Sequence, residues 1–422
     1  MPTPPVIKPM LLDHLTLPRK VAMPNGVPMY LLDGADKGVV RFDLLFKGGY
    51  AVQDKPLQAM FTNRMLREGT GTLTAAEISR RLDYYGAWID MYSSQNCNHI
   101  TLYTMSKHFV PLLQVLEEMV KHPQFPQDNF DTVKSNNKAH FTINSQKVDV
   151  VSQRHFEHSL WGSGHPLGHI VCAADYDAMT RDDIQDYYNH YYGSCNCAMF
   201  LSGSVNDAML AAVQESFGNS AWGCESECSP IEVAPPLTLP GRCTIQVPDT
   251  MQSAVKIGLM TMDATHPDFC KFRFLCVLLG GYFGSRLMSN IREENGYTYH
   301  IAAELDAYGS RNAFMISSEA ATEYVEPLVK EVYSEMERLV AEPVDESEIE
   351  LVRNYIMGEL CREYEGQSAK SEVFINAWLS GVDFASVNRY IDEIKSVTPA
   401  QLQRLAREYF RKDMMIEIVA GA

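Results

Sequence analysis

Apolar and polar positions alternate in "GVPMYLLDG" (26–34), "NHITLYTMS" (98–106), "AVKIGLMTMD" (254–263) and "YTYHIAAELDAY" (297–308). A period of two suits a strand with one buried face, so all four are predicted as strands. Two other stretches repeat at three and four: "HFVPLLQVLEEMVKHP" (108–123) and "YVEPLVKEVYSEMERLVAEP" (324–343), the second through Val325, Leu328, Val329, Val332, Met336 and Leu339. Both predict amphipathic helices. The acidic run after the second reads as a solvated helix start, with Asp345 or Ser347 as its N-cap. Strands interspersed with helical segments of 12 to 20 residues predict an α+β fold, an antiparallel or mixed sheet covered by helices.

That blueprint occurs twice. "MTRDDIQDYYNHYYGSCNCAMFLSG" and "VTPAQLQRLAREYFRKDMMIEIVAG" align without a gap, pairing Thr180 with Thr398, Tyr191 with Tyr409, Tyr192 with Phe410 and Gly203 with Gly421. Each copy reads as a helix followed by a strand. Between the halves, "GNSAWGCESECSPIEVAPPLTLPG" is rich in Gly, Ser and Pro and has neither period, as a linker would. The expected organisation is two homologous domains, 1–218 and 241–422, joined by a linker at 219–240.

The 422 residues exceed one typical core, in keeping with two domains. A formal charge of −17 argues against a nucleic-acid partner, because phosphate backbones are bound through clustered Lys and Arg. The opening "MPTPPVIKPMLLDHLTLPRK" has no basic segment followed by an apolar run, and no later stretch reaches the roughly 18 apolar residues of a membrane span. The expectation is a cytoplasmic chain without a membrane partner. Among ten scattered cysteines only Cys195 with Cys197, and Cys224 with Cys228, lie close together, without a second pair at zinc-finger spacing. His155 with His158, and His165 with His169, have spacings that suit a metal but no carboxylate partner at motif distance, so no metal site is assigned to them.

"GGYFGSRLMSNIREENGYTYH" (280–300) reads as a helix ending on Arg292, a glycine turn, and a strand led by Tyr297 and Tyr299. Taken alone, an arginine near a helix C-terminus serves the helix dipole, and a strand tyrosine packs across strands. Within it, "GSRLMSNIREENGYTYHI" is similar to the C-terminal-domain signature of the pitrilysin/insulinase-type zinc metallopeptidases, and "GHPLGHIVCAADYDAMTRDDIQDYYNHYY" resembles the stretch closing their first domain. The resemblance covers nearly the whole chain and points to the short-chain branch, in which two polypeptides of two domains each close like a clamshell around a chamber.

The resemblance implies a His-x-x-Glu-His helix in the first domain, with two histidines on zinc, a glutamate as proton acceptor, and a more distant glutamate as third ligand. The matching helix here is "LQAMFTNRMLREGT" (57–70), where Met60, Asn63 and Arg64 stand in place of His, Glu and His. A thioether, an amide and a guanidinium supply neither a good zinc ligand set nor a base. The third ligand is expected near "KAHFTIN", at Ala139 or His140, again without a glutamate, and His99 and His140 are read as ordinary polar positions. The second signature implies that Arg292 and Tyr299 form the substrate clamp, holding the peptide backbone and stabilising charge on the carbonyl oxygen; Tyr297 is the alternative one strand step away.

Three functions are therefore weighed. The first is the non-metal subunit of a heterodimeric zinc peptidase, with no cofactor in this chain, zinc in a homologous partner bearing His-x-x-Glu-His, and peptides or unfolded polypeptides as substrates. The second is a catalytically inactive peptide-binding or scaffold homodimer. The third is a self-sufficient metallopeptidase with atypical ligands. Arg292 and Tyr299 favour the first, and a homodimer is its expected substitute when the chain is isolated.

Overall fold

The computed structural model describes residues 12–34, 38–224, 236–308 and 311–421, and the fold it shows is α+β. Two compact units divide the chain, and neither is one continuous stretch. One holds Pro18–Leu239 with Gly366–Ile375; the other holds Met1–Leu17, Pro240–Glu365 and Asn376–Ala422. Half of the expected linker, residues 225–235 with Cys228, lies outside the described residues.

In the first unit, strands β1 (Arg19–Val21), β2 (Met29–Asp33), β3 (Val39–Lys47), β4 (Trp88–Ser93), β5 (Cys97–Met105) and β6 (Cys197–Gly203) form a mixed sheet of order β1-β2-β6-β3-β5-β4. Its helices are α1 (Gln58–Met65), α2 (Ala75–Tyr85), α3 (Phe109–Lys121), α4 (Gln127–Asn144), α5 (Val148–Trp161), α6 (Ala173–Ala178), α7 (Arg181–Tyr191) and α8 (Asp207–Val213). The alternation seen in the sequence has a direct cause. Phe42, Leu44, Phe46, Ile100 and Leu102 point into one core with Phe61, Leu112, Leu116, Ile184 and Phe217, all fully buried.

In the second unit, β7 (Gly241–Gln246), β8 (Gln252–Met260), β9 (Thr298–Tyr308), β10 (Arg311–Ala321) and β11 (Ile416–Gly421) form a mixed sheet of order β7-β11-β8-β10-β9. Its helices are α9 (Phe269–Gly280), α10 (Val325–Ala341), α11 (Glu346–Glu363), α12 (Gln367–Leu379, whose first residues count with the other unit), α13 (Ala385–Ser396) and α14 (Pro399–Tyr409). Asp345 is the N-cap residue of α11, although its side chain makes no capping bond.

The sequence repeat is a repeat of topology. Strand β6 runs parallel to β2 and antiparallel to β3, and β11 runs parallel to β7 and antiparallel to β8. Thr180 and Thr398 each close a capping box at the helix that leads into the central strand. The paired glycines sit where a side chain has no room: a Cβ at Gly203 would lie 2.3 Å from the Val39 carbonyl, and one at Gly421 would lie 2.1 Å from Ser253 Oγ. By this correspondence β4 and β9 are equivalent edge strands.

A buried charge cluster joins residues 366–375 to the first sheet. Arg41 Nη2 meets Asp43 Oδ1 at 2.8 Å and Glu372 Oε2 at 2.5 Å, its Nη1 donates to the Ser368 carbonyl at 3.2 Å, and Thr101 donates to Asp43 at 2.8 Å. Among the described residues no helix is long and apolar enough to cross a membrane.

Candidate functional site

Helix α1 is short and its buried face is polar, with Gln58, Thr62 and Asn63 all buried. Each polar group is used to fix the helix in place. Gln58 accepts from the Asp54 amide at 3.1 Å and donates to the Asp183 carbonyl at 2.7 Å, while the Thr62 hydroxyl reaches the Gln58 carbonyl at 2.8 Å. Asn63 donates from Nδ2 to the carbonyls of Tyr92 at 2.9 Å and His99 at 3.1 Å, pinning α1 to the β4–β5 pair. Its Oδ1 is buried and has no hydrogen-bond partner among the described residues. Met60 is partly buried against the core, and Arg64 is exposed.

Arg64 Nη1 donates to Asn137 Oδ1 on α4 at 2.5 Å. The position on α4 that faces α1 is therefore Asn137, neither Ala139 nor His140, both of which are exposed. The reason is helical phase: Phe130, Lys134, Asn137 and Phe141 share one face at spacings of four, three and four, and 139 and 140 turn away from it. The apolar pair Phe130 and Phe141 is the signal that marks this face in the sequence.

The donor set does not fit a zinc ion. A guanidinium repels the cation, the Asn63 amide, held by Nδ2 on two carbonyls, offers one neutral oxygen and no base, and a thioether is a poor zinc ligand. Among the described residues no group of three or more His, Cys, Asp or Glu side chains is arranged to hold a metal. The other histidines have separate duties. His158 Nδ1 lies 2.8 Å from the Gly168 carbonyl, His165 accepts from the Leu167 amide at 3.0 Å, and His169 Nε2 lies 2.9 Å from Asp175 Oδ2. The ring of His99 stacks on Tyr92 at 4.2 Å with Ser94 Oγ 3.3 Å from Nε2; burial, then the Arg41 charge, pull its pKa down to about 4.

Arg292 and Tyr299 lie in the second unit. Arg292 is on a π-helix, Met288–Glu294, which continues past it, so the arginine is not the helix terminus that the pattern suggested. The wide turn is closed by the Asn295 amide on the Asn290 carbonyl at 3.0 Å, and Gly296 at φ 66° supplies the left-handed residue that leads into β9. The Arg292 guanidinium stacks over Phe283 at 4.6 Å, with no ion-pair partner among the described residues. Tyr299 is 87% exposed on edge strand β9, whereas Tyr297 is half-buried and stacks on Tyr324 at 5.5 Å. No side-chain hydrogen bond joins Arg292 to Tyr299; each is held open independently.

Residues 178–356 match the model of the Peptidase M16 inactive domain. The chain carries an inactive-type domain of the M16 peptidase family. Similarity to M16 proteins extends beyond that segment. An "Uncharacterized zinc protease YmxG" of Bacillus subtilis is 20% identical over 85% of this chain and 87% of the relative. A "Non-peptidase homolog YmxG" of Helicobacter pylori is 23% identical over 61% of this chain and 60% of its own length. The beta subunit of the mitochondrial-processing peptidase of Dictyostelium discoideum is 20% identical over 84% of this chain and 77% of the subunit. The crystal structure of a peptidase M16 inactive domain from Pseudomonas fluorescens superposes with a TM-score of 0.86 at 19% identity, covering 96% of this chain and 98% of that one. The M16 fold therefore extends over both units.

Proposed function

We propose that this M16 chain is the non-metal subunit of a two-chain zinc-dependent peptidase, in which a homologous chain with an intact His-x-x-Glu-His helix holds the metal. Zinc there supplies a polarised water. This chain contributes Arg292 and Tyr299, whose N–H and O–H groups donate to the bound peptide and to the carbonyl oxygen as charge develops on it.

The observation that carries this reading is the state of those two side chains. Arg292 stacks on Phe283 but has no carboxylate partner among the described residues, and Tyr299 is 87% exposed, while the neighbouring Tyr297 is spent on a stack with Tyr324. Edge strand β9 also offers unpaired backbone groups beside Tyr299, suited to an extended peptide. The family supports a paired state, since one relative is named as the beta subunit of a processing peptidase.

Co-purification with a His-x-x-Glu-His homologue, followed by cleavage of an unstructured peptide, tests it. Cleavage by the pair that is absent with either chain alone, and lost with Tyr299→Phe, is the expected result. A second reading, a peptide-binding scaffold without chemistry, is favoured by the relative named a non-peptidase homolog. It is the outcome if peptide binds and no pairing supports cleavage.

A further inference from the structure

The face of α4 that holds Arg64 through Asn137 carries a second guanidinium one turn on, over Phe141. Arg154 on α5 is half-buried, with its charge 4.8 Å from the ring centre of Phe141, and Phe141 in turn packs on Tyr176 at 5.0 Å. Tyr176 lies within electrostatic reach of both Arg64 and Arg154, and Tyr50 within reach of Arg64 and Tyr176. Among the described residues neither arginine has an ion-pair partner, and neither phenol hydroxyl has a hydrogen-bond partner. Of the nearby carboxylates, Asp175 is engaged with His169 and the Cys172 amide and Asp177 with Lys138, while Glu157, which accepts from Gln153, lies within electrostatic reach of Arg154.

Two guanidinium groups without a salt-bridged carboxylate, Arg64 keeping one N–H on Asn137, and two phenol hydroxyls without an acceptor thus lie around one face of α4, in a protein whose net charge is −17. We propose that Arg64, Arg154, Tyr50 and Tyr176 form an anion site that takes a carboxylate of a peptide, either its C-terminus or an acidic side chain. The chemistry is complementary on each count. Guanidinium groups bind carboxylates through paired N–H donors, and a half-buried cation lacking a counter-ion gains most from one. Burial lowers the Arg154 pKa and pushes that of Tyr50 up to about 12, so Tyr50 remains a neutral O–H donor at neutral pH. The partly buried neighbours Phe141 and Met60 are apolar, which suits a carboxylate carried on a hydrocarbon frame better than a bare inorganic anion.

The site uses neither Arg292 nor Tyr299 and is measured on the chain alone, so its failure and a failure of subunit pairing are separate results. Calorimetric titration with an unstructured decapeptide that has a free C-terminus and no acidic side chain is compared with its C-terminal amide. The free acid is expected to bind about tenfold or more tightly, a ratio erased by Arg64→Gln and by Arg154→Gln. A peptide with an internal glutamate and an amidated end is expected to regain part of the affinity. Arg64 is exposed, so Arg64→Gln folds normally, as circular dichroism will verify, and keeps the test decisive if Arg154→Gln does not fold. Equal binding of acid and amide, or an unchanged ratio in Arg64→Gln, overturns the site. Inorganic phosphate that displaces the peptide at equal concentration overturns the assignment to a peptide carboxylate.

Discussion

Arg64 donates from Nη1 to Asn137 Oδ1 at 2.5 Å, a contact across 73 residues of chain that joins α1 to α4. One residue earlier, Asn63 holds two backbone carbonyls of the β4–β5 pair. The helix that would carry zinc ligands is thereby built into the fold through groups that a ligand set would remove.

Restoring the motif is therefore expected to damage the fold before it creates a metal site. In the fourfold variant Met60→His, Asn63→Glu, Arg64→His, Asn137→Glu, a carboxylate replaces an amide that donates to two carbonyls. The lost bonds and the desolvated charge should cost about 2–5 kcal/mol. Urea denaturation gives the stability and elemental analysis the zinc content. A variant as stable as the parent that holds one zinc per chain would contradict the account.

His99 gives the first unit a pH response with a definite sign. Its folded pKa, about 4, lies below the ordinary histidine value of 6.5, so between those values the unfolded chain binds more protons. Its contribution is fully present above pH 6.5 and is lost as pH falls toward 4, amounting to roughly 3 kcal/mol at most by the usual conversion of pKa shift to free energy. Thermal melts from pH 7.5 to about 4.5 should fall less steeply in His99→Phe, which keeps a ring against Tyr92. Parallel curves would show that the histidine does not titrate on unfolding.

The fold was legible where local chemistry repeats. Thr180 and Thr398 with their capping boxes are short-range devices that leave the same mark twice, and Gly203 and Gly421 repeat because the same crowded place recurs at the end of each central strand. The membership of residues 366–375 in the first unit left no such mark, because it rests on Arg41 and Glu372, 331 residues apart, and long-range pairs have no period. The π-turn under Arg292 was hidden for a related reason: one extra residue in a turn shifts hydrogen bonds without altering composition. In the candidate site, the identities at 60, 63 and 64 were readable, but the partner Asn137 required the phase of α4, which is mostly exposed and whose only fully buried residue is Phe130.

The Arg41 cluster makes a prediction about unequal partners. Arg41 and Asp43 are both buried, whereas the Glu372 side chain is 42% exposed. Arg41→Met strands a buried carboxylate and should cost about 3–5 kcal/mol. Glu372→Gln, at a partly hydrated pair, should cost about 1 kcal/mol or less. Chemical denaturation of both variants checks the ratio; similar losses would mean that Glu372 is as essential as the buried pair.

The tyrosines on and before β9 separate packing from chemistry. Tyr299, at 87% exposure, has no contact that its hydroxyl or ring stabilises, so Tyr299→Phe should leave the melting temperature within a degree or so. If it donates to the developing charge on a peptide carbonyl, the reconstituted pair should lose on the order of 100-fold in turnover, roughly 3 kcal/mol. Tyr297 is expected to behave in the opposite way. Its stack on Tyr324 survives Tyr297→Phe, which should alter neither property, but Tyr297→Ala removes the ring pair and should cost about 1 kcal/mol of stability while sparing turnover of the folded protein. Arg292→Ala vacates the place over Phe283 and should lower turnover with Tyr299→Phe rather than with Tyr297→Ala. If Tyr297→Phe abolishes cleavage and Tyr299→Phe does not, the donor is one strand step earlier; if neither affects it, the exposed tyrosine has no part in the chemistry.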